Sequence, residues 1–186
     1  FIASAKPLKK GVDKCLSLQW HENILLVLLS PRKLIAVSHI KGSNTDILRN
    51  LKILWELTLP YDYTKISIDP YYQNSFLLSG SSSFIIYQSE TAGDPPKILH
   101  DDVSFSNLQS IKDIQWSVHF PNFLFILTNN SIYLFNTENS SVVPAVENNP
   151  DSFSFLVQLP SDHTRLLTIS FGGGLTVFLL SEKITY

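Results

Sequence analysis

Ile111-Lys112-Asp113-Ile114-Gln115-Trp116 runs through a short turn into Phe123-Leu124-Phe125-Ile126-Leu127-Thr128, then Asn129-Asn130, then Ile132-Tyr133-Leu134-Phe135-Asn136. The first run alternates apolar and polar side chains, the mark of a half-buried strand. The second run is apolar almost throughout. Asparagine tolerates the positive φ of a two-residue hairpin, so Asn129-Asn130 reads as a tight turn into a third strand.

The same order of elements recurs along the chain. Opening strands begin at Leu16-Ser17-Leu18-Gln19-Trp20, at Lys65-Ile66-Ser67-Ile68-Asp69-Pro70 and at Phe153-Ser154-Phe155-Leu156-Val157-Gln158. Apolar second strands follow at Ile24–Leu29, Phe76–Ser79 and Arg165–Ser170. Tight turns follow these at Ser30-Pro31-Arg32, Gly80-Ser81-Ser82 and Gly172-Gly173-Gly174, and third strands at Lys33–Ser38, Phe84–Gln88 and Leu175–Leu180. Ile68 and Trp116 are 48 residues apart, Tyr87 and Phe135 also 48, and Phe135 and Phe178 43. A repeat of this length with four strands per unit is the signature of WD-type blades. The fold class is therefore all-β: part of one WD40-like β-propeller over residues 1–186, about four blades of four-stranded antiparallel sheet, with units beginning near 15, 65, 111 and 153. Trp20, Ile68, Trp116 and Val157 fall in the innermost-strand region.

Fourth strands are edges, which sequence constrains least. Candidates are Lys52–Leu57, Lys97–His100 and Val142–Ala145. Asp46–Leu57 also has helical spacing in Ile47, Leu48, Leu51 and Leu54; its first half is open to helix or strand, while the repeat requires a strand at Lys52–Leu57. Glu90–Pro96 has the composition of a surface turn, and His100–Ser110 is polar; both read as flexible loops.

Composition excludes several classes of function. A charged fraction of 16% is too low for disorder, and a net charge of −2 attracts neither nucleic acid nor a membrane surface. The basic cluster Lys6, Lys9, Lys10 and Lys14 reads as a solvated tail. Cys15 is the only cysteine, so there is no internal disulfide framework and a cytosolic location is the simpler reading. The triplets at Asn129 and Asn139 that match the glycosylation pattern are then coincidences. Ile24–Leu29 is the longest apolar run, far short of the ~18 residues of a membrane span. There is no signal-peptide pattern. The absence of methionine, even at position 1, points to a piece of a longer protein.

The sequence offers no catalytic, cofactor-binding or metal-binding residues, and partner-binding residues are unknown. Gly172-Gly173-Gly174 lacks dinucleotide spacing and the lysine of a phosphate loop, and reads as a hairpin turn. The histidines His21, His39, His100, His119 and His163 show no metal-ligand spacing. His21, His119 and His163 are expected in turns, without metal. His100-Asp101-Asp102 reads as a solvated acidic loop, and Ser81-Ser82-Ser83 as turn formers rather than a nucleophile elbow. Trp20 and Trp116 close equivalent strands and are expected to pack between blades. Trp55, near an outer strand, is the candidate for exposure and partner contact.

Leu54-Trp55-Glu56, Ile66-Ser67-Ile68-Asp69-Pro70-Tyr71 and Phe76-Leu77-Leu78 resemble a blade of the WD repeat-containing protein 11 family, and Ile132–Asn136 with Phe171–Leu180 is similar to the blades that follow. The resemblance covers most of the chain, in the same order. It departs at the ends of the third strands, Ser38, Gln88, Asn136 and Leu180, which lack the tryptophan-aspartate pair, and in a shorter Ser89–Ser110 loop. It implies a cytoplasmic, non-catalytic protein-interaction scaffold associated with the trans-Golgi network or vesicles. The implied work is tethering endosome-derived vesicles, with links to cilium formation and Hedgehog signalling. The partners are other proteins of a trafficking complex, with no nucleic acid and with membrane only through those partners; no cofactor is implied. A generic propeller adaptor of a chromatin or ubiquitin-ligase assembly is the alternative, with a propeller enzyme behind it. Four blades alone would leave apolar faces at both ends, so the 186 residues are expected to associate or to be poorly soluble.

Overall fold

The structure, a computed structural model, describes residues 14–21, 23–39, 51–72, 74–91, 93–104, 110–147, 152–159, 161–170 and 172–179. Among them are fifteen strands and no helix. Sheet A holds β1 (Lys14–His21), β2 (Ile24–Ser30), β3 (Lys33–His39) and β4 (Leu51–Thr58). Sheet B holds β5 (Lys65–Ile68), β6 (Ser75–Ser79), β7 (Ser83–Gln88) and β8 (Lys97–Ser104). Sheet C holds β9 (Asp113–Trp116), β10 (Phe123–Leu127), β11 (Ile132–Asn136) and β12 (Ser141–Val146). Sheet D holds β13 (Phe153–Leu159), β14 (Asp162–Ser170) and β15 (Leu175–Leu179). Each sheet is a meander in chain order, as the repeat predicts; the described part of sheet D has three strands.

The chain divides into two compact units, Phe1–Gly80 with Phe84–Asp102, and Ser81–Ser83 with Val103–Tyr186. In the first, Leu26, Leu28, Leu34 and Trp55 of sheet A meet Ile66, Phe76, Leu78 and Tyr87 of sheet B in one core. In the second, Phe125, Leu127 and Leu134 of sheet C meet Phe153, Leu156 and Leu166 of sheet D. The second strands are apolar because they lie at the centre of their sheets: every residue of β6 is buried, and four of five in β10. Each large aliphatic or phenylalanine side chain so buried contributes about 1.5–3 kcal/mol.

Local chemistry explains the turns, and corrects one of them. Gly173 has φ +82°, and Ser170 N–H donates to Gly174 O at 2.8 Å across the β14–β15 hairpin. Asn129-Asn130, in contrast, has no positive φ. Thr128 closes that turn instead: its N–H donates to Ser131 O at 2.9 Å and its hydroxyl accepts from Ser131 N–H at 3.2 Å. Among the described non-glycine residues the positive values fall at Asn122 (65°) and Ser140 (57°), in the turns on either side of the β10–β11 hairpin, and at Arg32 (48°) in the β2–β3 turn.

Residues 51–58 form a strand, whose register pairs Ala36 with Trp55 and Val37 with Ile53. The helical alternative is excluded from Leu51 onward; residues 46–50 lie outside the described residues. The acidic triplet His100-Asp101-Asp102 belongs to β8 rather than to a loop. An edge strand tolerates charge, so polarity there does not signal a break. Residues 105–109 of the expected loop are outside the described residues. His21 and His163 are strand residues, not turn residues, because the hairpins are tight: His21 pairs with Ile24, and Leu159 with Asp162. Their side chains, like that of His39, are outside the description. His119 lies in the bend after β9.

Candidate interaction surfaces

Opening strands stand side by side in each unit without forming a ladder, and polar side chains join them. In the first unit, Ile66 N–H on β5 donates to Ser17 Oγ on β1 at 3.3 Å. In the second, two glutamines clasp β9 and β13 reciprocally. Gln115 Nε2 donates to Leu156 O at 2.8 Å, and Gln158 Nε2 donates to Trp116 O at 2.7 Å. Gln158 Oε1 accepts Val118 N–H at 2.9 Å, Gln115 Nε2 reaches Asp113 Oδ2 at 2.6 Å, and His119 Nε2 lies 2.6 Å from Leu159 O. An imidazole protonated at Nε2 donates to that carbonyl. The junction is hydrogen-bonded throughout and works as a fastener between sheets, with no nucleophile–base pair. Nothing assigned these glutamines a role in the sequence; the signal for Gln115 was the Gln-Trp pair that recurs at 19–20 and 115–116.

Past the opening strands, a buried polar residue organises the turn. Asp69 Oδ1 accepts N–H bonds from Tyr71 at 2.8 Å and Tyr72 at 3.2 Å. Ser117, 48 residues on, accepts from His119 N–H at 3.3 Å and Phe120 N–H at 3.0 Å. Both caps are buried, and the Asp69 turn holds the side chains of Tyr71 and Tyr72 out in solvent. This pair is an interaction candidate that the sequence reading passed over, although Pro70-Tyr71-Tyr72 was there to see. Tyrosine suits such a role because it carries apolar area and a polar tip at small entropic cost.

Burial pushes the Asp69 carboxyl above the ordinary aspartate value, and the two N–H donors only partly offset it. A raised folded-state value means that this group's stabilising contribution is complete below the unfolded value of about 3.9 and is lost as pH rises through the folded value. Asp69→Asn keeps an oxygen acceptor for both N–H groups and carries no charge. Its unfolding midpoint at pH 7 is expected at or above the parent's, the difference closing as pH falls through the carboxylate range. Asp69→Ala has no acceptor and is expected to cost about 0.5–2 kcal/mol, by analogy with capping residues. Urea unfolding at pH 7 and pH 4 measures both; an Asn variant as unstable as the Ala variant would refute the account.

An open depression of about 660 Å³ lies at the β7–β8 connection, lined by Gln88, Glu90, Asp94, Lys97, Ile98 and Leu99 among others. Lys97 Nζ is paired with Glu90 Oε1 at 3.0 Å, both well exposed. The turn at Glu90–Pro96 is tied by Thr91 Oγ1 donating to Asp94 Oδ2 at 2.7 Å. Among the described residues no group of three or more His, Cys, Asp or Glu side chains is placed to hold a metal ion. Cys15 is exposed and Lys14 opens β1, while Lys6, Lys9 and Lys10 lie outside the described residues. The glycine run forms the β14–β15 hairpin, and Ser81 and Ser82 form the β6–β7 turn, as expected, whereas Ser83, expected in that turn, is buried as the first residue of β7.

The tryptophans divide differently from the sequence reading. Trp116 is buried, as expected. Trp20 at the equivalent place is 63% exposed, and Trp55 is 7% exposed, the reverse of expectation. Trp55 points to the sheet B side of β4, opposite the small Ala36, and stacks on Phe76 at 6.5 Å between ring centroids. Trp20 lies on the other face of sheet A, beside the buried Val27, Leu29, Ile35 and Val37, and is itself largely in solvent.

No protein-family model matches the sequence, and no curated protein matches it. Solved structures do. The β-propeller domain of Cps50 (Swd1) from Myceliophteria thermophila superposes with a TM-score of 0.70 at 10% identity, over 90% of this chain and 54% of that one. A chain of the COPII outer coat vertex on membranes gives 0.66 at 13% identity, over 93% of this chain and 48% of that one. The computationally designed Ika4 protein gives 0.62 at 13% identity, over 92% and 94%. The chain thus spans about half the length of these two natural chains. With its consecutive meander sheets, this likeness shows that the chain has the fold of a partial WD40-like β-propeller.

Proposed function

We propose that this chain is a non-catalytic protein-interaction scaffold of a membrane-trafficking assembly. The observation that carries the scaffold reading is the Asp69 turn, where a buried cap on a rigid sheet holds Tyr71 and Tyr72 in solvent. Preorganised aromatic side chains bind partners without a large ordering cost. The trafficking part rests on the resemblance of Leu54–Glu56, Ile66–Tyr71 and Phe76–Leu78, and of Ile132–Asn136 with Phe171–Leu180, to the WD repeat-containing protein 11 family. Likeness in fold to a chain of a membrane coat agrees with it. On this reading the protein acts in the cytoplasm at the trans-Golgi network, capturing endosome-derived vesicles through protein partners, with a further role in cilium formation and Hedgehog signalling.

The test is proximity labelling in cells with the tagged chain and with the Tyr71→Ala/Tyr72→Ala variant. Labelling of Golgi and vesicle-tethering proteins by the parent, and at least a severalfold loss in the variant, is the expected result. Labelling dominated by chromatin or ubiquitin-ligase components would replace the trafficking reading with the generic adaptor. Identical profiles for parent and variant would remove the tyrosine surface.

A further inference from the structure

At one end of sheet B the β5–β6 turn and the β7–β8 connection are tied together. Ser89 N–H donates to Asn74 O at 2.9 Å, and Asn74 Nδ2 donates to Glu90 O at 2.9 Å. The turn presents Tyr71 and Tyr72, and the connection frames the open depression of about 660 Å³. Such a volume suits a few side chains rather than a folded partner. Its apolar lining includes Ile98, 53% exposed, and Leu99, 45% exposed, at the start of β8. β8 is the last strand of sheet B, and no described strand pairs its outer edge. The N–H and C=O groups of such an edge accept a further extended segment. The surroundings are negative: from Gln88 to Asp102 the sequence carries Glu90, Asp94, Asp101 and Asp102 against Lys97 alone. Lys97 is already taken up by Glu90 at 3.0 Å. Asp94 is exposed and, among the described residues, has no cation beside it. Thr91 Oγ1 donates to its Oδ2 at 2.7 Å, and its N–H donates to Thr91 O at 3.1 Å, so the carboxylate is oriented before a ligand arrives.

We propose that this depression takes an arginine side chain from an extended segment of a partner protein, and that the segment lies along the outer edge of β8. This partner class presupposes the interaction-scaffold reading given above. Arginine fits both parts of the lining. Its aliphatic stem covers Ile98 or Leu99 while the guanidinium reaches Asp94. Its planar fork of donors matches a carboxylate with two hydrogen bonds, which the point charge of a lysine does not. Ile98 and Leu99 are adjacent in β8 and leave it on opposite faces, so apolar residues on either side of the arginine meet one or the other. An acidic segment would meet like charge along the whole stretch and be repelled.

A random heptapeptide display library, depleted on the Asp94→Arg variant and then panned on the 186-residue chain, supplies the probe. The expected selection is arginine next to leucine, isoleucine or valine. The strongest binder, made with a fluorescein label, is titrated by fluorescence anisotropy, and far-ultraviolet circular dichroism confirms that each variant folds. Asp94→Asn keeps an oxygen for the Thr91 hydroxyl and is expected to weaken binding about fivefold, the upper end for a charge pair that begins in solvent. Asp94→Arg is expected to weaken it further, and to regain affinity for the same peptide with glutamate in place of arginine. Selected peptides without arginine, equal affinity for Asp94→Asn, or no recovery by the charge swap would each overturn the arginine site. The Tyr71→Ala/Tyr72→Ala variant separates this site from the tyrosine surface. Weaker binding there with unchanged binding to Asp94→Asn sinks the arginine site and keeps the tyrosine surface. The reverse pattern keeps the arginine site and sinks the tyrosine surface.

Discussion

Trp55→Ala is expected to destabilise the chain by about 3–5 kcal/mol, the range for removing a buried large aromatic side chain. The side chain is 7% exposed, lies in the core shared by sheets A and B, and stacks on Phe76, which stacks in turn on Tyr87 at 5.5 Å. Removing the indole opens a void between two ladders whose backbones cannot close on it. Trp55 Nε1 is buried without a hydrogen-bond acceptor. Trp55→Phe therefore gives up no hydrogen bond and is expected to cost much less than alanine. Trp20→Ala is expected to stay within about 0.5 kcal/mol, as for an exposed substitution. Urea unfolding of the three variants decides the matter; a Trp20 variant less stable than the Trp55 variant would sink this account.

The second large effect is expected at the glutamine clasp. Gln158→Ala leaves Trp116 O and Val118 N–H without their side-chain partner, and the expected loss is about 1–3 kcal/mol. Gln158→Glu keeps an acceptor for Val118 N–H but has no donor for Trp116 O, so it should lose stability as well. Gln115→Ala removes the reciprocal bond to Leu156 O. Since Gln158 Nε2 also lies 3.4 Å from Gln115 Oε1, the two changes share a network and should not add. A double-mutant cycle is expected to give a coupling of about 0.5–3 kcal/mol. Amide exchange at Val118 provides a local readout, with exchange accelerated in both Gln158 variants. Strict additivity and unchanged exchange would show that the clasp does not hold the sheets.

The strands themselves were legible from the sequence. Ile111–Trp116, Phe123–Thr128 and Ile132–Asn136 needed only alternation, apolar runs and turn residues, and they appear as β9, β10 and β11 within a few residues. Alternation works because side chains leave a strand on opposite faces in turn. Spacing works because each blade is one meander whose hairpins must recur. The edges were less legible: β8 carries His100-Asp101-Asp102, since a strand with one free edge accepts polar residues that elsewhere mark a loop.

Tertiary structure alone decided which face of each strand is covered and what reaches across between sheets. Trp20 and Trp55 exchange the environments their local sequence suggests, because burial depends on whether another sheet lies on that side, and nothing in the flanking residues encodes it. Gln115 and Gln158 are 43 positions apart and meet only because β9 and β13 stand side by side. Asp69 was visible as a turn residue in Asp69-Pro70, but its burial and its two N–H partners follow from the ladder that ends beside it. Alternation and turn chemistry are properties of neighbours along the chain, so the sequence by itself determined the sheets; burial and cross-sheet hydrogen bonds are properties of neighbours in space, so only the packed sheets decided the surfaces.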